Sequence, residues 1–174
     1  MKRIAPILLA AFLLAPSSVF SQTRGRSSRP RPAPPQAQAQ RVSQVRTQGA
    51  THIADQIKHL TRFMYLLGGV NSGIAAVDEA VRRKEASPTL VQNNQQSKAT
   101  VKASIAGFRE SLDKLEIDFR NAPELQPFYI KLAGVAAGAA SAEEQANANQ
   151  FDAAGRTLLN VINRLADVLV IMRQ

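Results

Sequence analysis

Val101, Ile105, Phe108, Leu112, Leu115 and Phe119 recur at alternating steps of four and three residues, the spacing of one continuous apolar seam along a helix. A seam of that length has to bury against partners, and three other segments carry matching ones. Ile53, Ile57, Leu60, Met64, Leu67, Ile74 and Val81 fall in a single heptad register, flanked by Phe63, Val70 and Val77. Phe128, Leu132, Val135, Ala139, Ala142 and Ala146 form a third seam, and Phe151, Leu158, Ile162, Leu165, Leu169 and Met172 a fourth.

Capping and breaking residues set the boundaries. Because the first register survives Gly68 and Gly69, it predicts one long helix from between Val42 and Thr51 to about Glu85, with a kink near Gly68 to Gly73 as the alternative. Arg82, Arg83 and Lys84 suit its carbonyl end. Ser87 followed by Pro88 is a helix start, serine as cap and proline at the first helical position, and the second helix runs from there to about Arg120. Asn121, Pro123 and Pro127 break the chain, so the third helix is expected from near Pro127, with Gly134 and Gly138 permitting close helix approach. A turn at Asn147 to Gln150 precedes the fourth. Short connections between four such helices predict an all-α, up-down-up-down four-helix bundle over residues 49–174.

The first two helices exceed about 30 residues and the others reach about 22, so at 1.5 Å per residue the first hairpin is expected to project by roughly 12 to 15 Å. Core positions of a projecting tip have nothing to bury them, and they turn polar: Asn71 and Asp78 on the first helix, Asn94 and Lys98 on the second. A hairpin centred near Ser87 sets Asp78 opposite Lys98. That cluster, Asp78, Asn94 and Lys98, is either a solvated tip with an ion pair worth at most about 1 kcal/mol or the wall of a polar pocket. Tyr65, Leu66, Gly69, Gly73, Ala76 and Ala80 form a second stripe on the far side of the first helix. Such a stripe admits a partner helix or a second copy, unless a bend at the glycines rotates it inward.

Charge changes the picture at one place. The net charge is +9 and the pI about 10.7, which invites a nucleic-acid reading until the charge is located. Residues 22–50 hold Arg24, Arg26, Arg29, Arg31, Arg41 and Arg46 and no acid, whereas residues 51–174 carry 14 Lys and Arg against 13 Asp and Glu. The basicity belongs to a tail, and nucleic acid is not an expected partner. Rich in proline near Pro30 to Pro35, the tail offers too little apolar surface to offset its ordering entropy, so a disordered arm is expected over 22–48. Its Arg24, Arg26, Arg29 and Arg31 are placed to hold an anionic envelope surface, or simply to solubilise. Ahead of the arm, Lys2 and Arg3 precede an apolar run from Ile4 to Leu14, with Val19 and Ser21 at the small-residue positions. That is the layout of an export signal, residues 1–21, cleaved after Ser21. The run falls short of the ~20 apolar residues of a spanning helix, so no transmembrane segment is expected after cleavage, and the periplasm is the expected destination rather than the exterior.

Candidate chemistry is sparse. The chain has no cysteine, which excludes disulfides, lipid-bearing cysteine, covalently attached c-type haem and thiolate metal sites. Its two histidines, His52 and His59, lie seven apart around Asp55. If Ile53 and Leu60 face the core, all three point outward, and helix-borne metal pairs sit four apart instead. No His-Glu spacing of the di-iron kind and no glycine-rich phosphate loop occurs. The serines and threonines lack an inward histidine as base. Arg109 with Asp113, Glu110 with Lys114 and Glu116 with Arg120 read as surface pairs four apart. No enzyme and no cofactor is expected. What remains is an exported helical module that binds a protein partner, or itself, in the cell envelope. The alternative is a periplasmic small-molecule or metal carrier using the polar tip or the space between helices.

Overall fold

A computed structural model of the protein describes residues 35 to 174. The expected export signal (1–21) and the part of the expected arm that carries Arg24, Arg26, Arg29 and Arg31 lie outside the described residues. Five helices follow in order, α1 (Pro35–Arg82), α2 (Pro88–Asn121), α3 (Gln126–Leu132), α4 (Val135–Asn147) and α5 (Phe151–Met172), with no strand among the described residues. The fold is all-α, as the periodicity predicts.

Helix α1 runs unbroken for 48 residues through Gly68, Gly69 and Gly73. It begins earlier than expected, so residues 35–48, read from composition as arm, are helical. Proline suits a first helical turn, and the Gln-Ala alternation from Gln36 to Gln40 consists of strong helix formers. Low hydropathy there signals a helix end with little to bury, not an absence of helix. Packing takes hold at its far side, where a Cβ on Gly49 would lie 3.0 Å from Leu125 Cδ2 and 3.2 Å from Phe119 Cζ. The start of α2 matches its sequence signal: Ser87 Oγ accepts the Leu90 N–H at 3.3 Å, with Pro88 in the first turn.

The third helix, expected to be continuous, is divided into α3 and α4. Gly134 takes φ +95°, a left-handed conformation that glycine adopts without the Cβ penalty. Its role is therefore the break, whereas Gly138 has the close-approach role, its Cβ position falling 2.8 Å from Val161 Cγ2. The apolar seam survives the break: Phe128, Leu132, Val135, Ala139, Ala142 and Ala146 are all buried.

The remaining core follows the seams in large part; Val81, expected in the first seam, and Val70 on its flank are exposed. Ile53, Leu60, Leu67 and Ile74 of α1 and Val101, Ile105, Leu112, Leu115 and Phe119 of α2 are buried in one cluster with α3, α4 and α5. On α5 the buried apolar side chains are Phe151, Ala154, Leu158, Val161, Leu165, Val168 and Met172, at alternating steps of three and four, with Gly155 buried beside Ala154. Ile162 and Leu169, expected in that seam, sit half-buried on its flank. Hydropathy favours the larger side chains, but the close approach at Gly138 admits the smaller Val161.

Helix α1 packs on α2 and α5, and α4 packs on the same two, so these four helices share one interior. Paired contacts give their directions. Phe63 meets Phe108 edge-on at 5.1 Å between centroids, while further up α1 Asp78 meets Lys98 nearer the start of α2. Along α5 and α1, Asp152 bonds Asn71 and Met172 bonds Arg46, again in opposite order.

Helix α4 is short and rich in alanine, and α2 holds it at both ends. Glu116 Oε1 accepts the N–H groups of Gly134 (2.7 Å) and Ala136 (2.9 Å), and Lys102 Nζ donates to the Asn147 carbonyl at 3.2 Å. An anion at the amino end and a cation at the carbonyl end both complement the helix dipole. Between them Arg109 Nε lies 2.6 Å from Glu143 Oε2, a contact of charges without hydrogen-bond alignment, since that buried N–H has no acceptor in line. Arg109 and Glu116 thus reach across to α4 instead of pairing with Asp113 and Arg120 along α2, and Lys114 pairs with Asp118 at 3.0 Å instead of Glu110. Glu116→Ala leaves two part-buried donors unpaired, so chemical denaturation should register a loss of about 1–3 kcal/mol, with Glu116→Gln, which keeps an acceptor oxygen, losing less.

Candidate functional site

The tip cluster forms as its register predicts. Asp78 Oδ1 accepts from Lys98 Nζ and from Asn94 Nδ2, both at 2.7 Å. Asn94 is 6% exposed, the one polar side chain among the described residues in the buried class, and the Lys98 side chain is 13% exposed. Asn71 is not part of the cluster. It donates to Asp152 Oδ1 at 2.6 Å, so it marks the level at which α5 begins, with Ile74 still buried one turn beyond it. A shallow cleft of about 460 Å³ lies between the two levels, with Ile74 and Phe151 as apolar walls and Asn71, Asp78, Asp152 and Arg156 as polar ones.

Burial pushes the Asp78 carboxyl up, but hydrogen bonds from Lys98 and Asn94, with the charges of Lys98 and Arg82, outweigh it and hold the group below its ordinary value of 3.8. A carboxylate so held is a poor proton acceptor; its chemistry is structural pairing. Because the folded-state value is depressed, Asp78 contributes its full stabilisation above 3.8 and loses it as the pH falls through the lower folded value. Asp78→Asn should therefore narrow the stability gap to the parent chain on acidification below about pH 4 and leave it constant above about pH 5, as read by urea midpoints across that range.

The second stripe faces outward. Tyr65 is 84% and Leu66 56% exposed; Gly69, Gly73 and Ala76 are exposed and Ala80 half-exposed. A Cβ on Gly68, Gly69 or Gly73 would meet nothing within 4 Å. Those glycines do not rotate the stripe into the core. His52 and His59 are exposed, as their register places them, and the half-buried Asp55 pairs with Lys58 at 3.1 Å.

No protein-family model matches the chain. No curated protein and no solved structure is significantly similar to it. The surfaces therefore have to speak through their own chemistry. Among the described residues no helix is long and apolar enough to cross a membrane, and no group of three or more His, Asp or Glu side chains is arranged to hold a metal ion.

Two features escaped the reading of the sequence. The α2 face toward α4 had a signal, since Lys102, Arg109 and Glu116 repeat every seven residues beside the seam. The other had none: a groove of about 980 Å³ between the first part of α1 and the end of α5 exists only because α1 begins at Pro35.

Proposed function

We propose that the chain is an exported, non-enzymatic, up-down-up-down four-helix bundle whose longer first hairpin projects, and that it works in the cell envelope by binding a helix through the outer face of α1. The antiparallel pairings described above support the topology. One observation carries the binding: Gly49, Gly138 and Gly155 each have a neighbour within 3.2 Å of their Cβ position, while Gly68, Gly69 and Gly73 have none within 4 Å. Each interior glycine costs a helix about 0.5–1 kcal/mol relative to alanine. Internal packing explains the first three glycines and leaves the cost of the others unexplained, while Tyr65 and Leu66 stand exposed beside them. Gly107 is open too, but it stands alone on α2. A helix approaching α1 closely would use the absent side chains, with Tyr65 and Leu66 as anchors.

Gly69→Ala and Gly73→Ala separate the two accounts. In the monomer each should add about 0.5–1 kcal/mol to stability, and if the face binds, Gly69→Leu and Gly73→Leu should abolish association while the melting temperature holds or rises. Sedimentation velocity and chemical cross-linking in envelope extracts read the association. A strict monomer that captures nothing refutes the reading, and a small molecule retained in native mass spectrometry would favour a carrier instead.

A further inference from the structure

We propose that the groove between the first part of α1 and the end of α5 is a docking site for an acidic amphipathic helix of a partner protein. The groove runs along α1 from Gln38 to Ala54 and is closed on its other side by Leu169, Met172 and Arg173. At 1.5 Å per residue its length is about 24 Å, the reach of a helix of about 16 residues. Its lining is mixed, with Ala39, Val42, Ala50, Ala54, Leu169 and Met172 as an apolar strip between polar flanks that include Ser43, Thr47 and Thr51. Val42, which continues the flanking register of Phe63 and Val70, is 37% exposed there among the described residues. Carried back from Ile53 and Ile57 by sevens, the α1 register here reads Ala50, Arg46, Ser43 and Ala39, small side chains with one arginine among them.

Charge selects the occupant. Among the residues that line the groove, Arg46 and Arg173 are charged and none is Asp or Glu; the nearest acids along the chain are Asp55, paired with Lys58, and Asp167. Arg46 lies 5.1 Å over the Phe128 ring and makes a 3.5 Å bond to the Met172 carbonyl. Neither Arg46 nor Arg173 has a carboxylate partner among the described residues, unlike the charges that α2 directs at α4. The amino end of α1, with no acid in its first turn, adds its positive dipole. An acidic helix would lay leucine or alanine at i, i+3, i+4 and i+7 on the apolar strip and set its flanking carboxylates against Arg46 and Arg173. A second copy of α1 would bring arginine against arginine, and a flat lipid surface would not fill a concave groove.

Titration of the full chain with a synthetic amphipathic helix carrying leucine on one face and glutamate on its flanks tests this, with a lysine-flanked helix of the same apolar face as comparison. Methyl resonances of Val42, Leu169 and Met172 should shift with the glutamate probe, and the dissociation constant should rise at least about tenfold in the Val42→Glu, Arg173→Glu double variant and between about 50 and 500 mM salt. Both substituted residues are exposed, so the fold survives, which circular dichroism checks; the comparison of probes needs no variant. Equal binding of the lysine probe overturns the proposal, and so does binding that leaves the three methyls unmoved, as it would if only the arginines of residues 24–31 were engaged. A dimer dissociated by Val42→Glu and indifferent to the probe would assign the groove to a second copy and overturn it as well.

Discussion

Phe119→Ala should destabilise the protein by about 3–5 kcal/mol, toward the upper end of what truncating a buried aromatic costs. Phe119 is 1% exposed in the last turns of α2, and its Cζ lies 3.2 Å from the position a Cβ would take on Gly49. Truncation opens a void bounded by the Gly49 backbone, which has no side chain to swing into it, and by Leu125, whose Cδ2 lies 3.0 Å from the same point. Whatever volume Leu125 leaves unfilled adds a cavity term to the lost transfer energy. Ile117→Ala, two residues earlier on the same helix but exposed, should change stability by no more than about 0.5 kcal/mol. Introducing Gly49→Ala into the Phe119→Ala chain puts a methyl into the void, and the pair should be more stable than the sum of the two single changes. Urea denaturation of the four chains checks this. A loss under about 1 kcal/mol for Phe119→Ala would mean that the early part of α1 does not pack on α2.

Gly138→Val should cost about 1–3 kcal/mol for the opposite reason, too much volume. The Cβ alone would lie 2.8 Å from Val161 Cγ2. Valine in a helix holds essentially one side-chain rotamer, so Val161 cannot turn away, and α4 and α5 must part. Separation there also loosens Ala142 and Leu158, both fully buried nearby. Val161→Ala alone opens a cavity, yet in the Gly138→Val chain it makes room, so the double variant should recover much of the loss. The contrast lies in Gly69, an interior helical glycine as well, whose replacement by alanine should stabilise. Thermal melts of Gly138→Val and Gly69→Ala moving in the same direction would contradict the packing described.

These two outcomes show why only part of the structure could be read from the chain. Gly69 and Gly138 are alike in sequence, each beside apolar or small residues in a helical pattern, yet one faces solvent and the other a valine of a neighbouring helix. Identity of the neighbour decides. The same holds for Glu116, spaced four from Arg120 as an ordinary surface pair would be, which turns to the amino end of α4 because Gly134 breaks the helix there. Asp78 and Lys98 were legible as partners because a tight turn at Ser87 fixes the register of α1 against α2, so their opposition follows from counting. The groove beside Val42 had no such local signal, since it depends on how far α1 outruns the end of α5.

What the sequence by itself determined was the class of the elements, the capped start of α2, most of the first three seams and the opposition of Asp78 and Lys98. Seam spacing, caps and turn residues act within a few residues of themselves, so the chain carries them in readable form. Tertiary structure alone decided the division at Gly134, which atoms of α4 the α2 charges meet, the roles of the helical glycines and the open groove at the start of α1. Each of those depends on which atoms of a distant segment lie alongside, and an apolar or charged side chain has no sequence signature for the surface it will meet.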